Sequence, residues 1–454
     1  MKKVFAIFSA ILLCVSVFTG CQQNVSTSDS ASTSSVASTS SVASIDSKIK
    51  DEKAPTGVLS AYGSKDGWRD VFNIAAKKIE EDHGIAIEVV TLPNEQIESV
   101  ISVKLASNDA PDLFFSNCPQ TVEQYNASQT CEPLDNEQWV SRLAAPDLLR
   151  YTGDGKIYAM PVREASTFFG GVYYNKALME KCGYVNPEPK TYQEFLDLLQ
   201  GIKDKGILPI YMTDKDAWCT QIWTTLGWGV AVADQKDTLY KKLNTNQTKF
   251  ADVPEFVTIL QQLQDLYKKG YVNENHVSQT YDTAKVAIGE GKAVMAIQGE
   301  WFATDLNIKY PDVELGSFAI PFLDKPIIAT GAYVTGFFVP KEGNVKLAKA
   351  FLNYWSQPEY MNLIFKETPG LPAFTDVNGG KVLPCITNLV EKYVNTGKYT
   401  NEFDSYFDFS RAIMDDYLFG NIQEVTTGKN PKTALSDWDV KFSQFMKDKG
   451  VKGF

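Results

Sequence analysis

Three tryptophans stand beside carboxylates at positions read as strand ends or loops: Asp66 with Trp68, Asp216 with Trp218, and Glu300 with Trp301. A sugar ring has apolar C–H faces and a rim of hydroxyls. Aromatic planes suit the faces, and ionised or amide groups make the stronger hydrogen bonds to the rim. Taken singly, each tryptophan is as readily explained by packing, because residues of this type are so often buried. Three such coincidences at loop positions favour a ligand site. Glu164, Asp216, Glu300 and Asp415 could in principle also supply the acid and nucleophile of a glycosidase. Many proteins offer as many carboxylates, so that reading carries little weight.

Other chemistry is hard to find. His83 falls at a predicted helix end and His276 in a polar loop, so both read as solvated rather than catalytic or metal-bound. Zinc-peptidase and serine-hydrolase motifs are absent, and Gly289-Glu290-Gly291-Lys292 lacks both the spacing and the following Ser or Thr of a P-loop. Gly153-Asp154-Gly155 reads as a turn, not as half of a dinucleotide fingerprint. The adjacent Tyr173-Tyr174 is the kind of pair that captures iron, yet on a buried strand such tyrosines pack, and the charged oxygen donors that hard Fe(III) wants are missing. No metal or cofactor is expected. Cys118, Cys131, Cys182, Cys219 and Cys385 show no Cys-x-x-Cys spacing. Cys118 and Cys131 are close enough to pair, but buried thiols explain them as well.

The charge balance narrows the partners. The 454 residues carry a formal charge of −11, and without residues 1–20, whose only charges are Lys2 and Lys3, it is −13. That is the wrong sign for a general nucleic-acid or anionic-membrane binder. Arginine occurs only at 69, 142, 150, 163 and 411, with no cluster in sequence, which weakens a phosphorylated ligand. The first twenty residues have a basic start and an apolar run from Val4 to Phe18, a secretory signal too short for a dependable membrane span. Val17-Phe18-Thr19-Gly20-Cys21 resembles a bacterial lipobox, with Phe18 where that motif usually has Leu, and makes Cys21 the expected lipidated residue. From Gln22 to Lys50 the chain is mostly Ser, Thr, Ala and Val, with Ala-Ser-Thr-Ser-Ser-Val at 31–36 and again at 37–42. Such a segment buries too little apolar surface to offset its ordering entropy, and reads as a tether.

Folding is expected to start near Pro55. Gly57 to Tyr62 reads as a strand. Phe72, Ala75, Ala76 and Ile79 recur at i, i+3, i+4, i+7, an amphipathic helix that Gly84 ends. A strand over Ile85–Leu92, a helix with Ile97, Val100, Ile101 and Leu105 on one face, and a strand from Asp112 to Phe115 follow. This alternation predicts a mostly parallel sheet covered by helices. Ligands sit beyond the carboxyl ends of such strands, which brings Ser64, Asp66 and Trp68 to one rim with Ser116 and Asn117. Gly155 to Lys176 is apolar, breaks at Pro161 and Arg163-Glu164, and restarts at Phe168, as a crossover between two bodies would. A second βα body then begins: Thr191-x-x-Glu194 is a capping box for a helix facing inward through Phe195, Leu198, Leu199 and Ile202. The aromatic stretch holding Asp216, Trp218, Trp223 and Trp228 is expected to be a loop. A helix starts at Pro254, a strand covers Ala293–Ile297, and residues from Val377 onward are mostly helical in pattern.

Leu105-Ala-Ser-Asn-Asp-Ala-Pro-Asp-Leu-Phe, Asp154-Gly-Lys-Ile-Tyr-Ala-Met-Pro, Tyr173-Tyr-Asn-Lys, Pro189-Lys-Thr-Tyr-Gln-Glu-Phe, the run from Gly289 to Trp301 and Ala348-Lys-Ala-Phe-Leu come in a specific order. In that order the chain resembles extracellular solute-binding protein family 1, the sugar-binding lipoproteins of ABC importers, over roughly residues 55 to 375. The resemblance implies a two-lobed α/β fold of the periplasmic-binding-protein type II kind, with mixed sheets flanked by helices and hinge crossovers between the lobes. One lobe would comprise 55–163 plus 332–376, the other 164–331 plus 377–454. It further implies a non-catalytic monomer that captures a carbohydrate and passes it to the transmembrane subunits of an ABC permease. Its only membrane contact would be the N-terminal lipid anchor, on the extracellular face, and no nucleic acid is involved. Carried over residue by residue, the ligand contacts are Ser64, Asp66 and Trp68 in the first βα loop, Ser116 and Asn117 in the second, Glu164 at the crossover, Asp216 and Trp218, Trp301, and Tyr333 where the chain returns to the first lobe. Relatives that bind maltose carry a charged pair where this chain has Ser116-Asn117, so the solute differs or is held differently. Asp415 or Tyr417 would add a contact from the helical C-terminal region. The same fold with a polyamine, iron or phosphorylated solute stands as an alternative, as does a surface-anchored glycoside hydrolase.

Overall fold

The computed structural model describes residues 55–65, 67–119, 121–151, 153–164, 166–403 and 418–454. The N-terminal part of the fold follows from simple patterning. Strand β1 (Gly57–Ser64) alternates buried Leu59 and Ala61 with outward residues, and the helix Phe72–His83 buries Phe72, Ala75, Ala76 and Ile79 in the same core. Gly84 stops that helix at φ 68°, a left-handed conformation that favours glycine. The chain returns through β2 (Ile85–Leu92), the helix Asn94–Ala106 and β3 (Leu113–Cys118), so that β2 and β3 both lie parallel to β1. Ser116 and Asn117 are therefore the last turns of a strand and not the loop after it.

The sheets are mixed, as the family resemblance implies, and not mostly parallel as the strand–helix alternation alone predicts. β4 (Ala159–Pro161), β5 (Ser166–Phe169), the long β10 (Ile328–Phe338) and β11 (Tyr399–Asn401) complete a seven-stranded sheet around β1–β3, with β10 antiparallel to β3, β4 and β5 and parallel to β11. A four-stranded sheet has the order β7-β8-β6-β9, with β6 (Gly171–Asn175), β7 (Leu208–Ile210), β8 (Ala293–Gln298) and β9 (Leu315–Phe318). β6 runs antiparallel to β8 and β9, and only β7 lies parallel to β8. Tyr173 and Tyr174 are fully buried on β6. Burial pushes both phenols up, Tyr174 to about 12.

Two cores form. One gathers residues between Leu59 and Val162 and between Val334 and Val377. The other lobe packs residues between Val172 and Ala329 and from Cys385 onward, in two adjoining clusters. β10 serves both: Ile328 and Ala329 belong to the second lobe's clusters, Val334, Phe337 and Phe338 to the first lobe's core.

Three local expectations are corrected. The aromatic stretch after β7 is not a loop but the helix Ala217–Ala231, buried along its whole length from Cys219. It has no solvated face, hence no 3.6-residue alternation to read, and its Trp223 and Trp228 donate to Ile259 O and Phe256 O at 2.9 and 3.1 Å. The histidines are partnered, not solvated. The His83 ring stacks on Tyr354 at 3.6 Å with its Nε2 2.7 Å from the Tyr360 hydroxyl, and His276 Nδ1 lies 2.6 Å from Asp214 Oδ2. At Thr191 half of the capping box is present: its side chain accepts from Glu194 N at 3.2 Å, while the Glu194 carboxylate takes Lys190 N instead. Cys118 and Cys131 are buried free thiols.

Candidate functional site

The site is assembled where the two lobes meet. A cavity of about 260 Å³ is lined from the first lobe by Ser64 at the end of β1, Arg69 in the following loop, and Ser116 and Asn117 on β3. The hinge adds Arg163 and Glu164, and the second lobe adds Trp218, Tyr281, Trp301 and Asp305. Ser64 turns its hydroxyl back to accept Gly67 N at 3.0 Å, which shapes the loop carrying Arg69.

The aromatic wall is made at helix beginnings. Trp218 is the second residue of the helix Ala217–Ala231, Trp301 the second of Glu300–Lys309, and Tyr281 the first of Tyr281–Gly289. Their rings meet at 5.1 Å (Trp218 with Tyr281) and 6.3 Å (Trp218 with Trp301), ordinary separations for tilted aromatic pairs. Asp216 Oδ2 accepts Tyr281 N at 2.7 Å and fastens two of these helix starts together. A carboxylate is favourable there, where the helix presents unpaired N–H groups.

At the hinge, Arg163 is 4% exposed, with Nη1 2.8 Å from Glu164 Oε2 and its guanidinium 4.5 Å over the Phe365 ring. It also donates from Nη2 to the Thr368 carbonyl. Burial pulls this guanidinium below its ordinary pKa, the Glu164 carboxylate opposes that, and the nearby Arg69 charge adds to it. Glu164 Oε1 accepts Leu371 N at 3.1 Å, lying where a Cβ on Gly370 would stand, which glycine alone leaves open. Across the cleft Arg69 Nη1 reaches Asp305 Oδ1 at 3.4 Å, and Asp305 Oδ2 accepts the Tyr281 hydroxyl at 2.9 Å. Burial works against the Arg69 charge, but Asp305 and then Glu164 outweigh it and hold the group above its ordinary pKa. Burial, then the Asp305 charge, push the Tyr281 phenol well above its usual range, so it remains a donor.

Of the residues anticipated from sequence, Ser64, Ser116, Asn117, Glu164, Trp218 and Trp301 line this one cavity, and Glu300 does so at 8% exposure. Two do not. Trp68 packs into the first core with its ring 5.6 Å from Phe115 and 5.8 Å from Trp355, because Phe72 and the sheet offer it an apolar bed. Asp216 accepts Tyr281 N and is not among the residues that line the cavity. Asp66, Asp415, Tyr417 and Cys21 lie outside the described residues, and of Tyr333 only the backbone is described, opposite Ser166. Arg163, marked in the sequence with Glu164 at the crossover break, lines the cavity as well, and Arg69, Gln221, Tyr281, Asp305 and Glu402 do so without having been singled out as contacts. Contrary to the sequence impression, two of the few arginines do converge. Among the described residues no group of three or more His, Cys, Asp or Glu could hold a metal, and no helix is long and apolar enough to cross a membrane.

Two α/β bodies joined by hinge segments, with a cavity between them lined by rings and polar groups, define a two-lobed solute-binding architecture. Residues 75–384 match the family described as bacterial extracellular solute-binding protein, and the chain belongs to that family. It is 24% identical over 370 residues to the melibiose/raffinose/stachyose-binding protein MelE of Bacillus subtilis (strain 168), spanning 79% of this chain and 78% of that relative. It is likewise 24% identical over 398 residues to the multiple sugar-binding protein of Streptococcus mutans, 85% of this chain and 91% of the other. Among solved structures, a Bacillus licheniformis sugar transporter in complex with stachyose aligns at TM-score 0.70 and 20% identity, over 86% of this chain and 100% of that one. RafE in complex with raffinose aligns at TM-score 0.71 and 20% identity, over 86% and 99%. At such identities these structures establish the fold.

Proposed function

We propose that this chain captures a carbohydrate, most simply an oligosaccharide, between its lobes and delivers it to the transmembrane subunits of an ABC importer. The observation that carries the reading is the mixed lining of the cavity: Trp218, Tyr281 and Trp301 from the second lobe, together with Ser64, Arg69, Ser116 and Asn117 from the first and Glu164 at the hinge. Rings suit the C–H faces of a sugar and the polar wall suits its hydroxyls. The sugar ligands named for MelE and for the raffinose and stachyose complexes support the same class. Calorimetry and thermal shift with melibiose, raffinose, stachyose and chitin oligosaccharides test it. If none binds or raises the melting temperature, the carbohydrate assignment fails.

In this reading the carboxylates of the cavity bind and do not cleave. Glu164 is already engaged by Arg163 and Leu371 N, so it is placed to orient groups and not to attack one. Overnight incubation with chromogenic and natural glycans leaves them intact if this is right. The lobes divide as 55–163 plus 332–376 and 164–331 plus 377–454, and the protein acts as a monomer. Cys21 carries lipid and the Ser/Thr-rich segment holds the folded part off the membrane surface. Palmitate labelling that persists in Cys21→Ala would remove the anchor from this account.

A further inference from the structure

We propose that Arg69 reads the bound solute and couples it to closure of the cleft through Asp305, and that the solute it reads is neutral and rich in acceptor oxygens. The proposal rests on the cavity being the solute site. Arg69 belongs to the first lobe, in the loop after β1, and Asp305 to the helix Glu300–Lys309 of the second, with Nη1 and Oδ1 3.4 Å apart. Asp305 is a fixed anchor: Tyr281 donates to its other oxygen at 2.9 Å, and Asp216 holds Tyr281 N at 2.7 Å. A contact made between lobes stabilises the closed arrangement only, so its removal shifts the population toward open.

The same guanidinium has unfinished business with a ligand. Arg69 Nη1 and Arg163 Nε are buried donors with no hydrogen-bond acceptor, and the Trp218 indole N–H is a third. Unmet buried donors are costly, and oxygens of a ligand would satisfy them. Arg163 is 4% exposed and lines the cavity with Arg69 and Trp218. The charge of both arginines is already answered by Asp305 and Glu164. The lining as a whole carries Glu98, Glu164, Glu300, Asp305 and Glu402 against Arg69 and Arg163. An anionic sugar would compete with Asp305 and meet repulsion from the remainder, whereas hydroxyl and ring oxygens add acceptors without charge. Lys65 and Asp282 also meet across the cleft, at 3.7 Å, but with side chains 70% and 60% exposed they are screened and serve as a control.

The test uses the full chain, with small-angle scattering in the absence of sugar and calorimetry with raffinose, stachyose and trigalacturonate. Asp305→Asn is expected to enlarge the radius of gyration and to weaken whichever neutral oligosaccharide binds by about tenfold or more. Arg69→Lys keeps the charge but not the fork and loses affinity by about tenfold, while Asp282→Asn changes it less than about twofold. Trigalacturonate is expected to bind at least about tenfold more weakly than raffinose. Should Asp305→Asn fail to fold, Tyr281→Phe replaces it, with a smaller change in both readouts in the same direction. Unchanged scattering overturns the coupling, unchanged affinity in Arg69→Lys overturns the reading role, and preferential binding of trigalacturonate overturns the neutral class. If no sugar of any kind binds the wild type, the carbohydrate reading fails, and the scattering comparison still decides whether Asp305 holds the lobes together.

Discussion

The two walls of the cavity are built by opposite means. The first lobe offers polar groups at strand ends, Ser64 on β1 and Ser116 and Asn117 on β3, placed by the parallel register of the sheet. The second offers rings in the first turns of three helices, with acidic neighbours at two of those starts: Asp216 just before the helix of Trp218, and Glu300 opening the helix of Trp301. Two of the three carboxylate–tryptophan neighbours in the sequence thus mark helix beginnings, with Glu300 in the first turn and Asp216 just before one helix while accepting the first N–H of another, at Tyr281. Trp68 breaks the pattern, since its ring turns into the core beside Phe115 and Trp355.

Substitutions that separate the walls should sharpen this contrast. The largest effect is expected at Trp68→Ala, which should cost about 3 kcal/mol of fold stability by denaturant titration and leave ligand affinity of the folded fraction unchanged. A loss of affinity with stability intact would return Trp68 to the binding wall. Trp218→Ala and Trp301→Ala should each weaken sugar binding by about 2 kcal/mol, roughly thirtyfold by calorimetry of the folded protein. Asn117→Ala, on the polar wall, should cost only about 1 kcal/mol of binding because a single hydrogen bond is exchanged for one to water.

The smallest effect concerns pH and the first lobe alone. Asp112 accepts Ser60 N and Ser60 Oγ, both at 2.8 Å, and Asn344 N at 2.7 Å. Burial alone would raise its pKa, but these donors outweigh it and hold the carboxyl below its ordinary value. A depressed carboxyl contributes stability that is full above its unfolded pKa of about 3.9 and is lost as pH falls through the folded value. The stability gap between wild type and Asp112→Asn should thus be complete at pH 7 and narrow below about pH 4. A gap that widens on acidification would contradict the assignment.

What could be read from the sequence differs between the lobes for the same reason that their walls differ. In the first, Phe72, Ala75, Ala76 and Ile79 bury one face and leave the other wet, so periodicity shows the helix. In the second, Ala217–Ala231 is buried all round, the periodic signal vanishes, and only its aromatic content is visible. The antiparallel return of β10 past β3 is long-range and left no local trace, so the sheet was expected to be more parallel than it is. The cavity residues that had sequence signals are those next to turns, tryptophans or the Pro161 break. Arg69 and Asp305 had none, because their meeting is a property of the closed topology and of no single stretch.

β10 has one further consequence. A single unbroken strand gives its first half to the partners β5 and β11 and its second half to β3 and β4. The lobes thus share an axle as well as a gap. Gly331 and Gly336 stand along it, the first overlain by the Glu402 carboxylate and the second by Ala159, and neither has room for a side chain. Any relative movement of the lobes has to be accommodated along this shared strand.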